Sequence, residues 1–468
     1  MGSLGQGTWL NRNVNFRMPV WRFFVVFSWC LIPACRSAAD HSAADAALVF
    51  PDDRTASADF HAGMETLTRS IMEDILSPPV AGRVYAYASL AGWETWCAAT
   101  SSEGSLLPRL PEAKPLPPPP EDIDAAVASM QAFLSTAKAL VFTEDFLAAF
   151  EREWLNGLPG EEAIASSRAY GQLAAEHIIR YAQSDRYPQT RTMTKHPEPE
   201  DPGSWSPTPP LFMGGLEPHW NKLRPFTLDS ASQFAPPTHL PYSDAPNSPF
   251  MALVKEVHET AANLTPEQEA IARFWDCNPY VTEEQAHLMP GIKKITPGGH
   301  WMAIAGHAAR QSRMDYPSTL RAYTLTAIAL HDAFISCWDE KYRSNLVRPE
   351  TVINRSMDPN WKPLLETPPF PEYPSGHSVV SSSATQVLTQ LFGPDFAFTD
   401  STELQFGLQP RSFSSFEHAA REASLSRLYG GIHYKPAVEL GVVQGMQVGR
   451  HVWQKLSAPS ETPEVAIP

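Results

Sequence analysis

Apolar residues recur at three- and four-residue spacing along most of this chain, and clean alternation of apolar and polar positions is absent. A period near 3.6 predicts helices, whose limits can be read from prolines and capping residues. The pattern predicts one helix over 125–155, which meets no proline before Pro159, and another over 161–184. Residues 60–99 read as two helices broken at Pro78-Pro79. Further helices are expected over 266–275, 299–313, 318–343, 377–392, 415–428 and 437–456. The predicted class is therefore all-α, a multi-helix bundle. Residues 107–120, ending in four consecutive prolines, and 195–210, rich in Pro, Glu and Ser, read as irregular or extended linkers. No internal repeat is visible.

Composition sharpens this picture. The chain has 468 residues, enough for a sizeable core, and 45 prolines, about twice the usual share of roughly 5 %. Many helices joined by stiff loops are expected. The net charge is -15, and the first 34 residues carry Arg12, Arg17 and Arg22 without an acid. An acidic body argues against nucleic acid as a partner. The N-terminus reads as an export leader over 1–38. Basic residues precede the apolar run 24–32, and Ala34 and Ala38-Ala39 follow. Ile32-Pro33-Ala34-Cys35 resembles a bacterial lipobox, which would make Cys35 a lipid anchor; the plainer reading starts the chain at Met18 and cuts near Ala39. The expected location is exported: periplasmic, outer-membrane lipoprotein or secreted. No apolar stretch is long enough for a membrane span. Beyond the leader stand Cys97, Cys277 and Cys337 without a CxxC pair, read as buried thiols. The remainder divides into an N-terminal helical region over 39–240, a site-bearing helical bundle over 241–458 and a tail over 459–468.

Three stretches in the last third carry chemistry. The first runs from Lys341, at the end of a predicted helix, to Arg348-Pro349. Basic residues at a helix C-terminus commonly just complement the dipole. The second is Pro374-Ser375-Gly376-His377 before a helix. Unpaired N–H groups at that positive end make an oxyanion cradle. Gly376 lets the backbone approach, Ser375 can donate, and His377 can move a proton near neutral pH. The third is Ser426-Arg427-Leu428-Tyr429-Gly430-Gly431-Ile432-His433, a helix end and a turn that deliver His433. Together they offer three cations, a helix N-terminus and two histidines, a set suited to a tetrahedral oxyanion.

K-x6-RP, PSGH and SR-x5-H, in this order and complete, resemble the signature shared by vanadium-dependent haloperoxidases and the type 2 phosphatidic acid phosphatase superfamily. A weaker similarity to the bacterial haloperoxidase branch begins at Phe274-Trp275-Asp276-Cys277-Asn278-Pro279. The resemblance implies vanadate, or phosphate in the same place, as the bound group. It implies His433 as the metal ligand and Lys341, Arg348, Ser375, Gly376 and Arg427 as partners of the oxygens. His377 would be the acid–base residue that helps peroxide bind, and Lys341 would polarise it for attack by halide, giving hypohalous acid. Hydrogen peroxide, halide and small organic acceptors are the implied partners, and a homo-oligomer is compatible with the chain.

The phosphatase reading uses the same residues with His433 as nucleophile and a phosphohistidine intermediate, so the three motifs leave both readings open. The neighbours favour the first. Phe334, Trp338 and Lys341 share a helical face, and Trp338 and Phe370 resemble the halide-side pocket of vanadium chloroperoxidases. The segments 337–341 and 368–373 look most like bacterial iodoperoxidases, which points to iodide or bromide. Asp276 is a further candidate, as partner of Arg427. Glu284 and His287 have half of a di-iron spacing, with no second copy, and read as a solvated helix face. His300 and His307, seven apart on one predicted helical face, and His331, beside Asp332 on the Trp338 face, could border the cleft but are read as ordinary hydrogen-bonded histidines.

Overall fold

A capping residue followed by proline starts many of the helices. Pro78, Pro249, Pro266, Pro297 and Pro349 each open a helix, where proline's missing N–H costs nothing and its φ is already helical. The Ser248, Thr265 and Thr296 side chains accept from the third amide of the helix that follows each. The computed structural model describes residues 55–197, 200–279 and 293–457. The leader with Cys35, the Glu284/His287 pair and the tail over 459–468 lie outside the described residues.

The helices among the described residues are α1 (Ala56–Glu73), α2 (Pro78–Ala99), α3 (Ala125–Leu140), α4 (Asp145–Asn156), α5 (Glu161–Gln183), α6 (Tyr187–Thr190), α7 (Pro249–Ala262), α8 (Pro266–Phe274), α9 (Pro297–Gln311), α10 (Tyr316–Ser344), α11 (Pro349–Ser356), α12 (Gly376–Phe392), α13 (Phe416–Tyr429) and α14 (Lys435–Ser457). No described helix is long and apolar enough to cross a membrane. The all-α expectation holds, with one small departure: β1 (Phe398–Asp400) pairs antiparallel with β2 (Arg411–Phe413). Three residues are too few for alternation to be read from sequence.

The single helix expected over 125–155 is two. The carboxylate of Asp74, at the end of α1, accepts from Phe142 N at 2.6 Å and Thr143 N at 2.9 Å, which turns the chain between α3 and α4. Apolar periodicity continues across the break, so only this distant acceptor reveals it. α7 and α11 were not anticipated. The stretch over 107–120 is irregular after one 3-10 turn at Leu107–Arg109, as expected, but it packs closely on α5. Its carbonyls at Pro111, Lys114 and Pro117 take hydrogen bonds from Tyr181, His177 and Tyr170.

The described residues make one unit, in which α10 packs against α2, α9, α12 and α14. Asp332 on α10 accepts from Phe226 N and Thr227 N, both at 2.8 Å, fastening the chain that leads away from the linker over 195–210. α12 and α14 pack backbone to backbone. Gly441, Gly445 and Gly449 repeat every four residues on α14, and a Cβ at Gly445 would lie 2.1 Å from the Val379 carbonyl. Ser375 N donates to Ala437 O at 3.0 Å, so this contact also sets the position of the α12 N-terminus.

Candidate active site

The loop between α11 and α12 contains Pro368, Pro369, Pro371 and Pro374. Prolines carry no N–H, so the loop has few donors of its own for its buried carbonyls. Two buried cations supply them instead. Lys341 Nζ donates to the carbonyls of Pro371 (2.9 Å), Glu372 (3.1 Å) and Pro374 (2.6 Å). Arg348 donates from Nε to Phe370 O at 2.9 Å, and from Nη1 to Ile432 O at 2.8 Å. The first motif thus holds the loop that presents the second, and Arg348 ties it to the third at Ile432.

His433 is oriented from behind. Its Nδ1 lies 2.9 Å from Glu372 Oε1, which also accepts Tyr434 N at 2.8 Å. With the Nδ1 proton directed at the carboxylate, the lone pair is on Nε2, 3.2 Å from Arg348 Nη1. Arg427 reaches the same place from α13, donating from Nη1 to Trp275 O at 2.9 Å, while its Nε is buried without a partner. His377, on the first turn of α12, has a buried Nε2 with no partner. Ser375 caps α12, its Oγ accepting from Ser378 N at 3.3 Å.

These groups surround a cavity of about 30 Å³, whose wall includes Gly376, His377, Arg427, His433, Trp338 and Phe370. Such a space suits a small inorganic ion. Lys341, Arg348 and Ser375 are buried directly behind that wall, and all three Lys341 donors are taken by carbonyls. Apart from Cys277 and Asn278, the remaining wall is apolar: Phe334, Pro78, Pro297 and Pro368 line it, and the Trp338 and Phe370 rings lie 5.0 Å apart. The Trp338 indole is fixed by donating to Leu216 O at 3.1 Å. The region before residue 240 therefore shapes the pocket through Pro78 and Leu216.

Electrostatics show what the cavity lacks. Burial pushes Lys341 down to about 7 and Arg348 down to about 10, and it lowers Arg427 as well. Burial, then the neighbouring Arg348 and Lys341, holds His433 well below its ordinary range. His377 is held low by burial, then by Arg427. Glu372 is the carboxylate in direct contact with His433, and burial raises it to about 7. The set is short of negative charge. An oxyanion would supply that charge and give Arg427 Nε and the histidine nitrogens partners, so the residues fit a tetrahedral oxyanion.

The nine expected site residues thus converge from three separated stretches. Glu372 was not anticipated as a site residue. Its only sequence signal is an acid two residues before Pro374-Ser375-Gly376-His377 in a proline-rich loop. Asp276 makes no hydrogen bond to Arg427. Lys294 takes its Oδ2 at 2.6 Å, and it acts on Arg427 only through space. His331 does not border the cleft; it is buried among Tyr87, Trp220 and Phe226. His300 pairs with Asp400 at 2.6 Å and lies outside the wall.

Comparison with known proteins agrees with this geometry. The family described as the VCPO second helical-bundle domain matches residues 321–461. A search of curated proteins finds no significant match. Among solved structures, the chain is similar to a bacterial vanadium-dependent iodoperoxidase, with 47% identity, a TM-score of 0.80, and coverage of 85% of this chain and 95% of that one. It also shares its fold with the holo and apo forms of a bacterial vanadium-dependent chloroperoxidase, each at 18% identity and a TM-score of 0.59, covering 82% of this chain and 95% of that one. A pocket where the three motifs meet, lined by Arg427 and backed by Lys341 and Arg348, together with 47% identity over 85% of the chain to the iodoperoxidase, places this chain in the vanadium-dependent haloperoxidase family.

Proposed function

We propose that this haloperoxidase oxidises iodide, with bromide as the next halide, and that the groups around the cavity divide the work as follows. The observation that carries the reading is His433: Glu372 holds its Nδ1 side, so Nε2 offers a lone pair into a cluster of buried cations beside an apolar wall. Vanadate, when bound, supplies a Lewis acid that activates hydrogen peroxide for two-electron oxidation of halide to hypohalous acid.

His433 Nε2 is the protein ligand to vanadium. Arg348, Arg427, Ser375 Oγ and the Gly376 N–H neutralise the oxygens. Lys341 contributes charge through the loop it holds, and it can turn one donor inward by releasing Glu372 O, the longest of its three bonds. His377 is neutral at pH 7 because burial and Arg427 keep its pKa low. Its free Nε2 is therefore a base, which would take a proton from incoming hydrogen peroxide and hold it for return. Trp338 and Phe370 exclude water and face a large, weakly hydrated halide, for which an apolar wall costs little desolvation. The leader over 1–38 and an exported location belong to this proposal; the N-terminal residue of the mature protein would test them.

The test is peroxide-dependent oxidation of iodide and bromide by the purified chain before and after loading with orthovanadate, with ester hydrolysis assayed on the unloaded protein. Oxidation that needs vanadate, is faster with iodide and is lost in His433→Ala is the expected outcome. Ester hydrolysis that vanadate inhibits, without halide oxidation, would overturn it.

A further inference from the structure

Behind the cavity lies a second cluster that halide oxidation does not use. Cys277 Sγ lies 3.3 Å from His300 Nδ1, and Glu403 Oε1 lies 3.3 Å from the same nitrogen. All three side chains are at most 2% exposed, and the three atoms lie within 4.8 Å of one another. Glu403 Oε1 accepts no hydrogen bond. On its other side the imidazole is fixed twice. Nε2 lies 2.6 Å from Asp400 Oδ2, and the ring stacks on Trp275 with centroids 4.6 Å apart.

We propose that Cys277, His300 and Glu403 form a binding site for a zinc-class divalent cation. Bond lengths of about 2.3 Å to sulfur and about 2.0–2.1 Å to nitrogen or oxygen imply tetrahedral edges of roughly 3.3–3.6 Å. The His300–Glu403 distance of 3.3 Å matches the nitrogen–oxygen edge, and the Cys277–His300 distance of 3.3 Å needs to open by about 0.2 Å to reach the sulfur–nitrogen edge. A mixed sulfur, nitrogen and oxygen set suits zinc over magnesium or calcium. Asp400 takes the Nε2 proton, leaving the Nδ1 lone pair for the ion, the usual carboxylate–histidine–metal arrangement. Binding releases the Cys277 thiol proton to solvent, so thiolate and Glu403 balance the two positive charges.

There is a way in. Glu403 lines a larger cavity of about 570 Å³, while Cys277 lines the halide-side cavity, so the cluster forms part of the partition between them. The site would tie the Cys277–Pro279 wall of the active cavity to α9 and to the 3-10 turn at Thr402–Phe406. Its ligands come from three distant stretches, which is why no CxxC spacing announces it.

The experiment uses the full chain after dialysis against a chelator, titrated calorimetrically with Zn²⁺ and, separately, with Co²⁺ while recording absorbance. One saturable Zn²⁺ per chain is expected, together with a thiolate-to-cobalt charge-transfer band. Cys277→Ala should abolish the band, Glu403→Gln should weaken Zn²⁺ by tenfold or more, and Asp400→Asn by about 10–100-fold. If Cys277→Ala does not fold, the wild-type Co²⁺ band and the Glu403→Gln affinity decide. No saturable uptake, a Co²⁺ spectrum without the thiolate band, or a band that survives Cys277→Ala overturns the proposal and leaves a buried imidazolium bridging Asp400, Cys277 and Glu403.

Discussion

At the scale of single residues, Glu372 governs the site without facing the cavity. Its Oε1 holds His433 Nδ1 and Tyr434 N, and its backbone carbonyl takes a Lys341 proton. One residue in the proline loop therefore positions groups from two of the three motifs. Replacing the carboxylate with an amide keeps the shape and removes the charge that makes Nε2 the better donor. Glu372→Gln should weaken vanadate by about 10–100-fold, the usual cost of losing such a partner. Vanadate titration of iodide oxidation measures this, with circular dichroism to verify the fold. An unchanged apparent affinity would show that His433 is oriented by Arg348 alone.

Between elements, the contact that matters most to the site is α12 on α14. Gly441, Gly445 and Gly449 let the helices approach until a Cβ at Gly445 or Gly449 would strike a backbone carbonyl at 2.1 or 2.3 Å. A carbonyl cannot rotate away as a side chain can, so Gly445→Ala must separate the helices. The expected cost is about 1–3 kcal/mol, seen as a lower urea midpoint. Gly214→Ala meets nothing within 4 Å and should stay within about 0.5 kcal/mol. Because Ser375 N is held by Ala437 O, Gly445→Ala should also weaken vanadate. Equal midpoints for Gly445→Ala and the parent would refute close packing as the role of the stripe.

Over the whole molecule, buried neutral histidines make the fold sensitive to acid. His331, on α10 and enclosed by aromatic rings, is lowered from 6.5 to about 3, first by burial and then by Arg83. His61, 2.8 Å from the Tyr323 hydroxyl, is likewise lowered to about 3, first by burial and then by Arg310. In both cases the folded pKa lies below the unfolded one. The unfolded chain then takes the proton first, so this stability is present above pH 6.5 and is lost as pH falls toward 3. Each ring contributes a slope of up to about 1.4 kcal/mol per pH unit in that window. His331→Phe removes one titrating group, and its stability between pH 6.5 and 4 should fall less steeply than the parent's. Identical slopes from urea unfolding across that range would exclude His331 as a source of acid sensitivity.

The sequence by itself determined what depends on near neighbours. Capping residues and prolines placed most helix starts within a residue or two, because a helix end is satisfied by groups within one turn. The three motifs named Lys341, Arg348, Ser375, Gly376, His377, Arg427 and His433, since each motif is a helix end whose geometry is local. Tertiary structure alone decided which distant groups complete them. Asp74 breaks the helix expected over 125–155 from 68 residues away, and Glu372 reaches His433 across 61 residues. Cys277 meets His300 and Glu403 only because α9 and the 3-10 turn are brought together. A buried polar atom takes whichever partner the packing brings within about 3 Å. Spacing along the chain carries no record of that partner.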